Sequence, residues 1–282
     1  LKKEGVNLLG GRALKKHLYP FIASELGAQF SLEQAIINGT LPLVIETENP
    51  HETLEAYLEL YIQEEVRNEG LVRNMENFAR FLEAISFSHG TVISLTNIAR
   101  ESEVKRKTVE NYISILEDLL IAFQLPVFSH QATRNLISHQ KFYLFDAGVF
   151  QVLRPKLFGD GPATHTGPAL EGLVASHLLA WTNYRNDHNT LSYWRTRTGL
   201  EVDFVLYSET YFFAVEVKNA DKINAKDCKG LQAFLSDYPL ATAILLYRGH
   251  TRMKLGDIWC IPCTEFLTEL TPDIAIEDIL KI

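Results

Sequence analysis

Two apolar segments that carry charges at alternating positions constrain the fold of this chain more than any other feature. They span residues 201–206 and 214–218, and a short polar stretch separates them. Because side chains of a β-strand alternate between its two faces, Glu216 and Lys218 share one face of the second segment. Pairing of the segments as a hairpin brings both residues to the same edge as Asp203 of the first segment.

This arrangement indicates metal and phosphate chemistry. A hard divalent cation prefers oxygen ligands, so Asp203 and Glu216 are the predicted ligands of Mg²⁺ or Mn²⁺. Such an ion activates water and neutralises charge that develops on phosphorus, and Lys218 can orient the water. Glu171, on a helix predicted ahead of the strands, adds a third carboxylate. The predicted catalytic residues are therefore Glu171, Asp203, Glu216 and Lys218.

A competing interpretation is that these charges lie on an exposed edge strand, where lysine and glutamate prevent pairing with other chains. The strongly apolar residues around them, at 204–206 and 212–215, favour a clustered site. Buried charges are unfavourable unless they are paired or bound to a metal. Arg195 and Arg197 precede the first segment, either as phosphate ligands or as exposed turn residues.

The order of apolar patterns predicts a mixed α and β fold in three parts, at residues 1–45, 46–154 and 155–282. Helical spacing recurs at 51–68 and 74–86, and a short helix, a turn and a longer helix follow. The longer helix has one predicted apolar face, formed by Val109, Tyr112, Ile113, Leu116, Leu119 and Leu120. Strands at 123–128 and 141–146 complete the order of a winged helix-turn-helix.

The last part has the pattern of an α/β sandwich. Residues 155–168, rich in glycine and proline, predict a linker or an ordered loop before a helix at 169–178. Strands are predicted at 191–194, 201–206, 211–218 and 243–247, with a helix at 230–237 before the last of them.

The turn before the long helix of the second part is basic. A recognition helix with a basic first turn can contact DNA phosphates, and nearby polar side chains can reach bases. The alternative is a charged helix end in a protein-interaction module, since fold alone does not establish DNA binding. The predicted DNA-binding residues are Arg100, Lys105, Arg106, Lys107, Thr108 and Asn111.

Composition limits the other classes of protein to which this chain can belong. A net charge of −8 and a pI near 5.6 require any nucleic-acid binding to use a local basic surface. No apolar run is long enough for a membrane span, and three cysteines favour a reducing cytoplasm over a disulfide framework. Cys260 and Cys263 have the spacing of half a zinc site, but no second ligand pair is present, which favours buried thiols around a strand at 258–261.

The ordered set of Glu171, Asp203, Glu216 and Lys218 resembles the PD-(D/E)XK signature of nucleases with a restriction-endonuclease-like fold. The wider chain resembles a large prokaryotic family of AAA-type ATPases, which join a P-loop module, a winged helix and a C-terminal nuclease-like domain of unknown function. The resemblance rests on residues 7–13, 18–20, 107–112, 142–148 and 193–205 in that order. It implies a restriction-endonuclease-like sandwich at the C-terminus and the tail of the ATPase module at the N-terminus.

One departure from that family concerns ATP. The sequence has neither a Gly-x-x-x-x-Gly-Lys-Ser/Thr loop nor an apolar strand that ends in paired acidic residues. We therefore expect ATP only through a missing N-terminal module. Arg12, in the Gly10–Gly11–Arg12 turn, is expected to be a solvated turn residue and not a phosphate ligand.

These observations lead to three functional hypotheses. The first is a nuclease-like domain of an AAA-type ATPase that cleaves DNA with Mg²⁺ or Mn²⁺. The second is a non-catalytic module that binds DNA or a partner protein and regulates the ATPase. The third is a transcription regulator that uses only the winged helix. The sequence leaves the oligomeric state open.

Overall fold

The computed structural model describes residues 17–62, 66, 72, 74–130, 132, 134–185 and 189–281. The predicted mixed α and β fold is confirmed: a largely helical N-terminal region precedes a six-stranded mixed sheet with helices. The prediction for Arg12 lies outside the described residues, as does part of the predicted helix at 51–68. The boundaries near residues 45 and 154 stay predictions.

Short helices form the first described region. They span Ala23–Leu26, Leu32–Asn38, Pro42–Ile45 and Pro50–Ala56, and the last continues as a π-helical segment over Tyr57–Ile62. Ser31 caps the second helix by accepting a hydrogen bond from the Gln34 amide, and serine is among the residues favoured at this position. That helix ends before Gly39, whose φ is 74° and where a Cβ atom would lie 2.0 Å from Asp146. Glycine therefore allows this turn to pack against Asp146.

The next elements follow the predicted winged-helix order. They are helix Met75–Ser86, strand Thr91–Val92 (β1), helix Leu95–Glu101, helix Arg106–Asp118, strand Ala122–Leu125 (β2) and strand Lys141–Leu144 (β3). The three strands form an antiparallel sheet in the order β1-β3-β2. Strand β2 stops before Pro126, three residues earlier than predicted, because proline lacks the amide that a strand ladder requires.

One residue of the predicted apolar helix face is placed differently. Val109, Tyr112, Ile113 and Leu116 are buried, but Leu120 is 51% exposed. The helix ends at Asp118, and Leu120 adopts a left-handed φ of 59° as the chain turns towards β2. The helical spacing used for the prediction therefore no longer applies at Leu120.

The described residues between 126 and 140, which we call the linking loop, connect β2 to β3 and contact the second sheet. The Phe128 amide donates a hydrogen bond of 2.7 Å to the Tyr193 carbonyl, and the Ile137 amide donates one of 3.2 Å to the Arg195 carbonyl. Phe128 is buried against the aromatic side chains around Phe234. The loop between β2 and β3 thus runs along an edge of the second sheet.

Two helices separate the sheets in sequence, Ala147–Leu153 and Pro162–Tyr184, and we call the second the long helix. Asp146 caps the first of them by accepting from the Val149 amide. The loop predicted up to residue 168 ends instead at Gly161. Pro162 is compatible with the first helical turn, where its missing amide leaves no bond unmade, and Pro168 lies inside the helix.

The second sheet has the strand order β4-β5-β6-β7-β9-β8. Its strands are Thr190–Arg195 (β4), Glu201–Tyr207 (β5), Phe212–Lys218 (β6), Thr242–Tyr247 (β7), Met253–Leu255 (β8) and Ile258–Pro262 (β9). Strands β4, β5 and β6 are antiparallel neighbours, whereas β6, β7 and β9 run parallel. Helix Lys229–Asp237 connects β6 to β7, and helices Cys263–Glu269 and Ile276–Ile279 end the described chain.

Apolar residues cover both faces of this sheet. Phe204 belongs to the cluster that contains Leu170 of the long helix, whereas its neighbour Val205 belongs to the cluster that contains Leu231 of helix Lys229–Asp237. This alternation is the strand period read from the sequence. Within the described part of the chain, no helix combines the length and apolarity that crossing a bilayer requires.

Candidate functional site

Asp203 and Glu216 lie on neighbouring interior strands of the six-stranded sheet. Strand β5 pairs antiparallel with β6, and Phe204 lies opposite Val215 in this register. Asp203 directly precedes Phe204 and Glu216 directly follows Val215, so the two acidic residues lie at the same end of the pair. They are 7% and 8% exposed. The edge-strand interpretation is wrong, because β4 and β7 flank this pair on either side.

Lys141 joins this acidic end of the sheet from the other sheet. Its Nζ atom lies 2.7 Å from Glu171 Oε1, 2.8 Å from Glu201 Oε1 and 3.1 Å from Asp203 Oδ1. Lys141 is 1% exposed, and the three oxygens match the three donors of an ammonium group. Burial lowers the pKa of Lys141, but the surrounding acidic groups, Glu171 above all, raise it well above its ordinary value.

Sequence reasoning missed Lys141, which it treated only as the first residue of a strand. Glu201, two residues before Asp203 in β5, was likewise not among the predicted site residues. One signal was present in the sequence: Lys141 is the charged member of the otherwise apolar segment that forms β3. A buried lysine requires acidic partners, but the partners are distant in sequence.

Glu171 reaches the cluster from the long helix. Its Oε1 atom also accepts a hydrogen bond of 2.6 Å from the Tyr143 hydroxyl of β3. Burial and then the nearby charge of Asp203 raise the pKa of Glu171, Lys141 opposes them, and the net result is a pKa of about 7. The helix placement predicted for Glu171 therefore brings it into contact with the same lysine as Asp203.

Glu216 and Lys218 form the second half of the site. Lys218 Nζ donates to Glu216 Oε1 over 2.5 Å, while Glu216 Oε2 is buried with no hydrogen-bond partner among the described residues. Burial and then the charge of Asp203 raise the pKa of Glu216, Lys218 opposes them, and the net result is a pKa of about 8. One carboxylate oxygen is thus left without the partner that a buried charge normally has.

Asp203 is held in place from two sides. While Oδ1 contacts Lys141, Oδ2 accepts a hydrogen bond of 2.9 Å from the Val217 amide. Val217 lies between Glu216 and Lys218, and its side chain packs in the core. The backbone of the Glu-Val-Lys segment therefore positions the carboxylate on the neighbouring strand.

Arg195 stands at the rim of the site. Its guanidinium lies 3.2 Å from Glu201 Oε2, and its side chain is 38% exposed. Arg197 is exposed in the turn after β4. Four carboxylates therefore face two lysines and Arg195, which leaves a formal excess of one negative charge.

The donor set has the chemistry of a divalent-cation site but not a preformed cage. Carboxylate oxygens are the ligands that Mg²⁺ and Mn²⁺ prefer, and Mg²⁺ usually takes only one or two of them from protein. Within the described ranges, no group of three or more His, Cys, Asp or Glu side chains is arranged to hold a metal. Glu216 Oε2 has no hydrogen-bond partner among the described residues, whereas both oxygens of Asp203 are engaged, so metal binding by this pair stays a prediction.

The predicted DNA-binding residues lie elsewhere, at the start of helix Arg106–Asp118 and at the end of the helix before it. Lys105, Lys107 and Asn111 are exposed, and Thr108 is half-buried. Acidic neighbours accompany the two arginines: Arg106 lies 3.2 Å from Glu110, and Arg100 lies 3.9 Å from Glu101. The basic turn faces solvent, whereas the linking loop, the wing of this module, is held against β4.

The three cysteines are buried free thiols, in agreement with the interpretation favoured from the sequence. Burial raises the pKa of Cys260 to about 11 and that of Cys263 to about 12. A thiol that stays protonated is a poor metal ligand.

Comparisons with known proteins identify two regions of this chain. Residues 29–157 match the family model described as domain of unknown function DUF8612, and residues 166–266 match domain of unknown function DUF4143. The second match includes Glu171, Asp203, Glu216 and Lys218, whereas Lys141 lies in the first. The contact between Lys141 and the carboxylates therefore joins the two matched regions.

Two curated relatives are distantly similar. The uncharacterized protein Rv2008c of Mycobacterium tuberculosis and the uncharacterized protein Mb2031c of Mycobacterium bovis are each 26% identical over 222 residues, which cover 76% of this chain and 48% of theirs. The chain thus spans about half the length of the curated relatives it matches. No solved structure matches it significantly.

Proposed function

We propose that Glu171, Asp203, Glu216 and Lys218 form a divalent-metal-dependent site that cleaves DNA phosphodiesters. The observation that carries this proposal is the unpartnered Oε2 atom of Glu216, buried beside Lys218 and at the same sheet end as Asp203. A buried carboxylate oxygen without a donor is unfavourable unless a cation binds there. The resemblance to the PD-(D/E)XK signature supports the same assignment.

Asp203 and Glu216 would hold the metal, since both present carboxylate oxygens at one end of β5 and β6. Mg²⁺ or Mn²⁺ bound there supplies a water activated near neutral pH and positive charge for the phosphate. Lys218 Nζ, which lies 2.5 Å from Glu216, is placed to donate a hydrogen bond to the attacking water or to a phosphate oxygen. Arg195 at the rim is placed to bind a neighbouring phosphate.

The resemblance also supports a longer protein in which this site is joined to an AAA-type ATPase module that binds ATP. The basic turn at Lys105 and Lys107 would then contribute to DNA contact, although the chain as a whole is acidic. These assignments rest on sequence resemblance and on the exposure of the two lysines.

Plasmid cleavage tests the proposed activity. Purified protein is incubated with supercoiled DNA and Mg²⁺ or Mn²⁺, and a reaction with chelator is the blank. Both the wild-type protein and Lys141→Met are assayed, because Lys141 contacts three of the carboxylates. We expect metal-dependent nicking that Lys218→Met and Glu216→Gln each reduce at least a hundredfold. Lys254→Met, at an exposed lysine on β8, is the matched control and should retain full activity.

Two outcomes would overturn the proposal. One is the absence of cleavage in both the wild-type and the Lys141→Met protein. The other is cleavage that persists unchanged in Lys218→Met and Glu216→Gln, because a contaminating nuclease would then account for it.

The contacts of Lys141 favour a second candidate, a non-catalytic module that binds DNA or a partner protein. The ammonium group contacts Glu171, Glu201 and Asp203 together and neutralises one of their three formal negative charges. The acidic residues would then have a structural role that fixes the winged-helix elements on the six-stranded sheet. Specific DNA binding without any cleavage would support this candidate over the first.

A further inference from the structure

We propose that Lys141 is an internal cation that closes the carboxylate site to divalent metal, so that metal uptake at Asp203 requires its ammonium group to move away. This inference rests on the proposed function, because it concerns regulation of the same site. Lys141 comes from β3, outside the strands and the helix that carry the predicted catalytic residues.

The first argument is that the Lys141 ammonium group has an acidic partner for each of its three donors. Its ammonium group has three acidic oxygens within 3.1 Å, one each from Glu171, Glu201 and Asp203. The rings of Tyr143 and Tyr193 also lie near it, with both centroids 5.9 Å from Nζ. A buried ammonium with this number of partners occupies a site built for a positive charge.

The second argument is competition for the same oxygen. Asp203 Oδ1 contacts Lys141 while Oδ2 accepts from the Val217 amide, so both oxygens of this predicted ligand are engaged. A metal ion bound to Asp203 would also face the ammonium at short range, and like charges repel strongly in a buried site. Glu216 Oε2, in contrast, has no partner. Lys141 therefore blocks metal binding at Asp203, whereas Glu216 Oε2 is not blocked.

The third argument is the position of Lys141 in the chain. It is the first residue of β3 and directly follows the linking loop, which runs along β4 through backbone hydrogen bonds from Phe128 and Ile137. The Tyr193 hydroxyl donates to the His139 carbonyl two residues before Lys141. Lys141 is also paired with Val92 and Leu125, so its withdrawal from the carboxylates requires the loop and the three-stranded sheet to move together relative to β4, which couples the winged-helix elements to the metal site.

Manganese binding tests the inference without any assay of activity. Free Mn²⁺ is followed by its electron paramagnetic resonance signal during titration of the wild-type, Lys141→Met and Lys141→Arg proteins. We expect Lys141→Met to bind Mn²⁺ at least tenfold more tightly than the wild-type protein, because the methionine keeps the length of the side chain and removes its charge. Lys141→Arg keeps the charge and should bind as weakly as the wild type.

A second variant locates the new site. The gain in Lys141→Met should disappear when Asp203→Asn is added, since the gained affinity is assigned to the oxygens of Asp203. If Lys141→Met is poorly folded in chelator, Mn²⁺ should restore its folded circular dichroism spectrum, and failure to do so counts against the inference. Equal Mn²⁺ affinity of the wild-type and Lys141→Met proteins overturns it, as does equal tightening in Lys141→Arg.

The outcome for this inference is separable from that for the proposed cleavage. Tighter Mn²⁺ binding by Lys141→Met without DNA cleavage would support the closed site and contradict the nuclease. Metal-dependent cleavage by a wild-type protein that binds Mn²⁺ as tightly as Lys141→Met would support the nuclease and contradict the closed site.

Discussion

Lys141 Nζ lies 3.1 Å from Asp203 Oδ1, although the two residues are 62 positions apart in the chain and belong to different sheets. The contact is buried and lies beside the edge strand that the linking loop covers. It makes the three-stranded sheet part of the acidic site. The winged-helix elements and the six-stranded sheet are therefore joined by charge as well as by backbone hydrogen bonds.

We predict that Lys141→Met destabilises the metal-free protein by about 3–5 kcal/mol, because removal of one partner leaves buried carboxylates uncompensated. Glu171→Gln added to this variant should recover part of the loss, since it removes one of those charges. Chemical denaturation of the four proteins in this double-mutant cycle measures the coupling between the two residues. Strictly additive changes would show that Lys141 and Glu171 do not interact.

Glu216→Gln should increase stability by about 1–3 kcal/mol at neutral pH, because the raised pKa of Glu216 makes folding take up a proton there, whereas a glutamine needs none. The amide oxygen of glutamine can still accept from Lys218. The same change should abolish cleavage, because a residue that is needed for activity can lower the stability of the fold. Thermal unfolding compares it with Glu209→Gln, an exposed control, and a loss of stability in Glu216→Gln alone would contradict the prediction.

His177 should make the fold sensitive to mild acid. Its Nε2 atom accepts from the Ala23 amide and its Nδ1 atom donates to the Leu173 carbonyl, so the buried ring is neutral. Burial lowers its pKa from 6.5 to about 4. The unfolded chain therefore binds a proton that the folded chain does not, and stability is lost as pH falls from 6.5 towards 4, by about 3 kcal/mol in total.

The His177 prediction is checked by urea denaturation across that pH range. His177→Gln keeps an acceptor for the Ala23 amide but does not titrate, so the difference between wild type and variant should shrink or reverse as pH falls. A difference that stays constant with pH would contradict the assignment. Comparison with the variant separates the contribution of His177 to the pH dependence of stability from that of acidic groups that titrate in the same range.

Lys105 and Lys107 should contribute to DNA binding through phosphate contacts. Their replacement by alanine should weaken binding for all sequences and reduce the slope of log affinity against log salt by up to about 2, roughly one unit per phosphate contact. Fluorescence anisotropy at several salt concentrations measures this slope. The double variant Lys254→Ala/Lys281→Ala removes the same charge elsewhere, and an equal effect there would indicate a nonspecific loss of charge.

The sequence was sufficient for much of the fold, because local rules govern it. Alternation of apolar residues located β5 and β6. The same alternation placed Asp203, Glu216 and Lys218 on neighbouring strands, since a short connection favours a hairpin. The local pattern wrongly predicted Leu120 on the apolar helix face, because the backbone leaves the helix before it. It also wrongly predicted a loop up to Pro168, which lies inside the long helix.

Tertiary structure alone decided what surrounds these charges. Lys141 and the carboxylates come from separate parts of the chain, and no periodicity in a single sequence links a lysine at the start of β3 to a helix and two later strands. The strand order, which buries β5 and β6 between β4 and β7, likewise depends on long-range pairing. The sequence thus determined which residues carry the charges of the site. The packing of the two sheets determined that Lys141 lies among the carboxylates, because buried charges are stable only beside a partner.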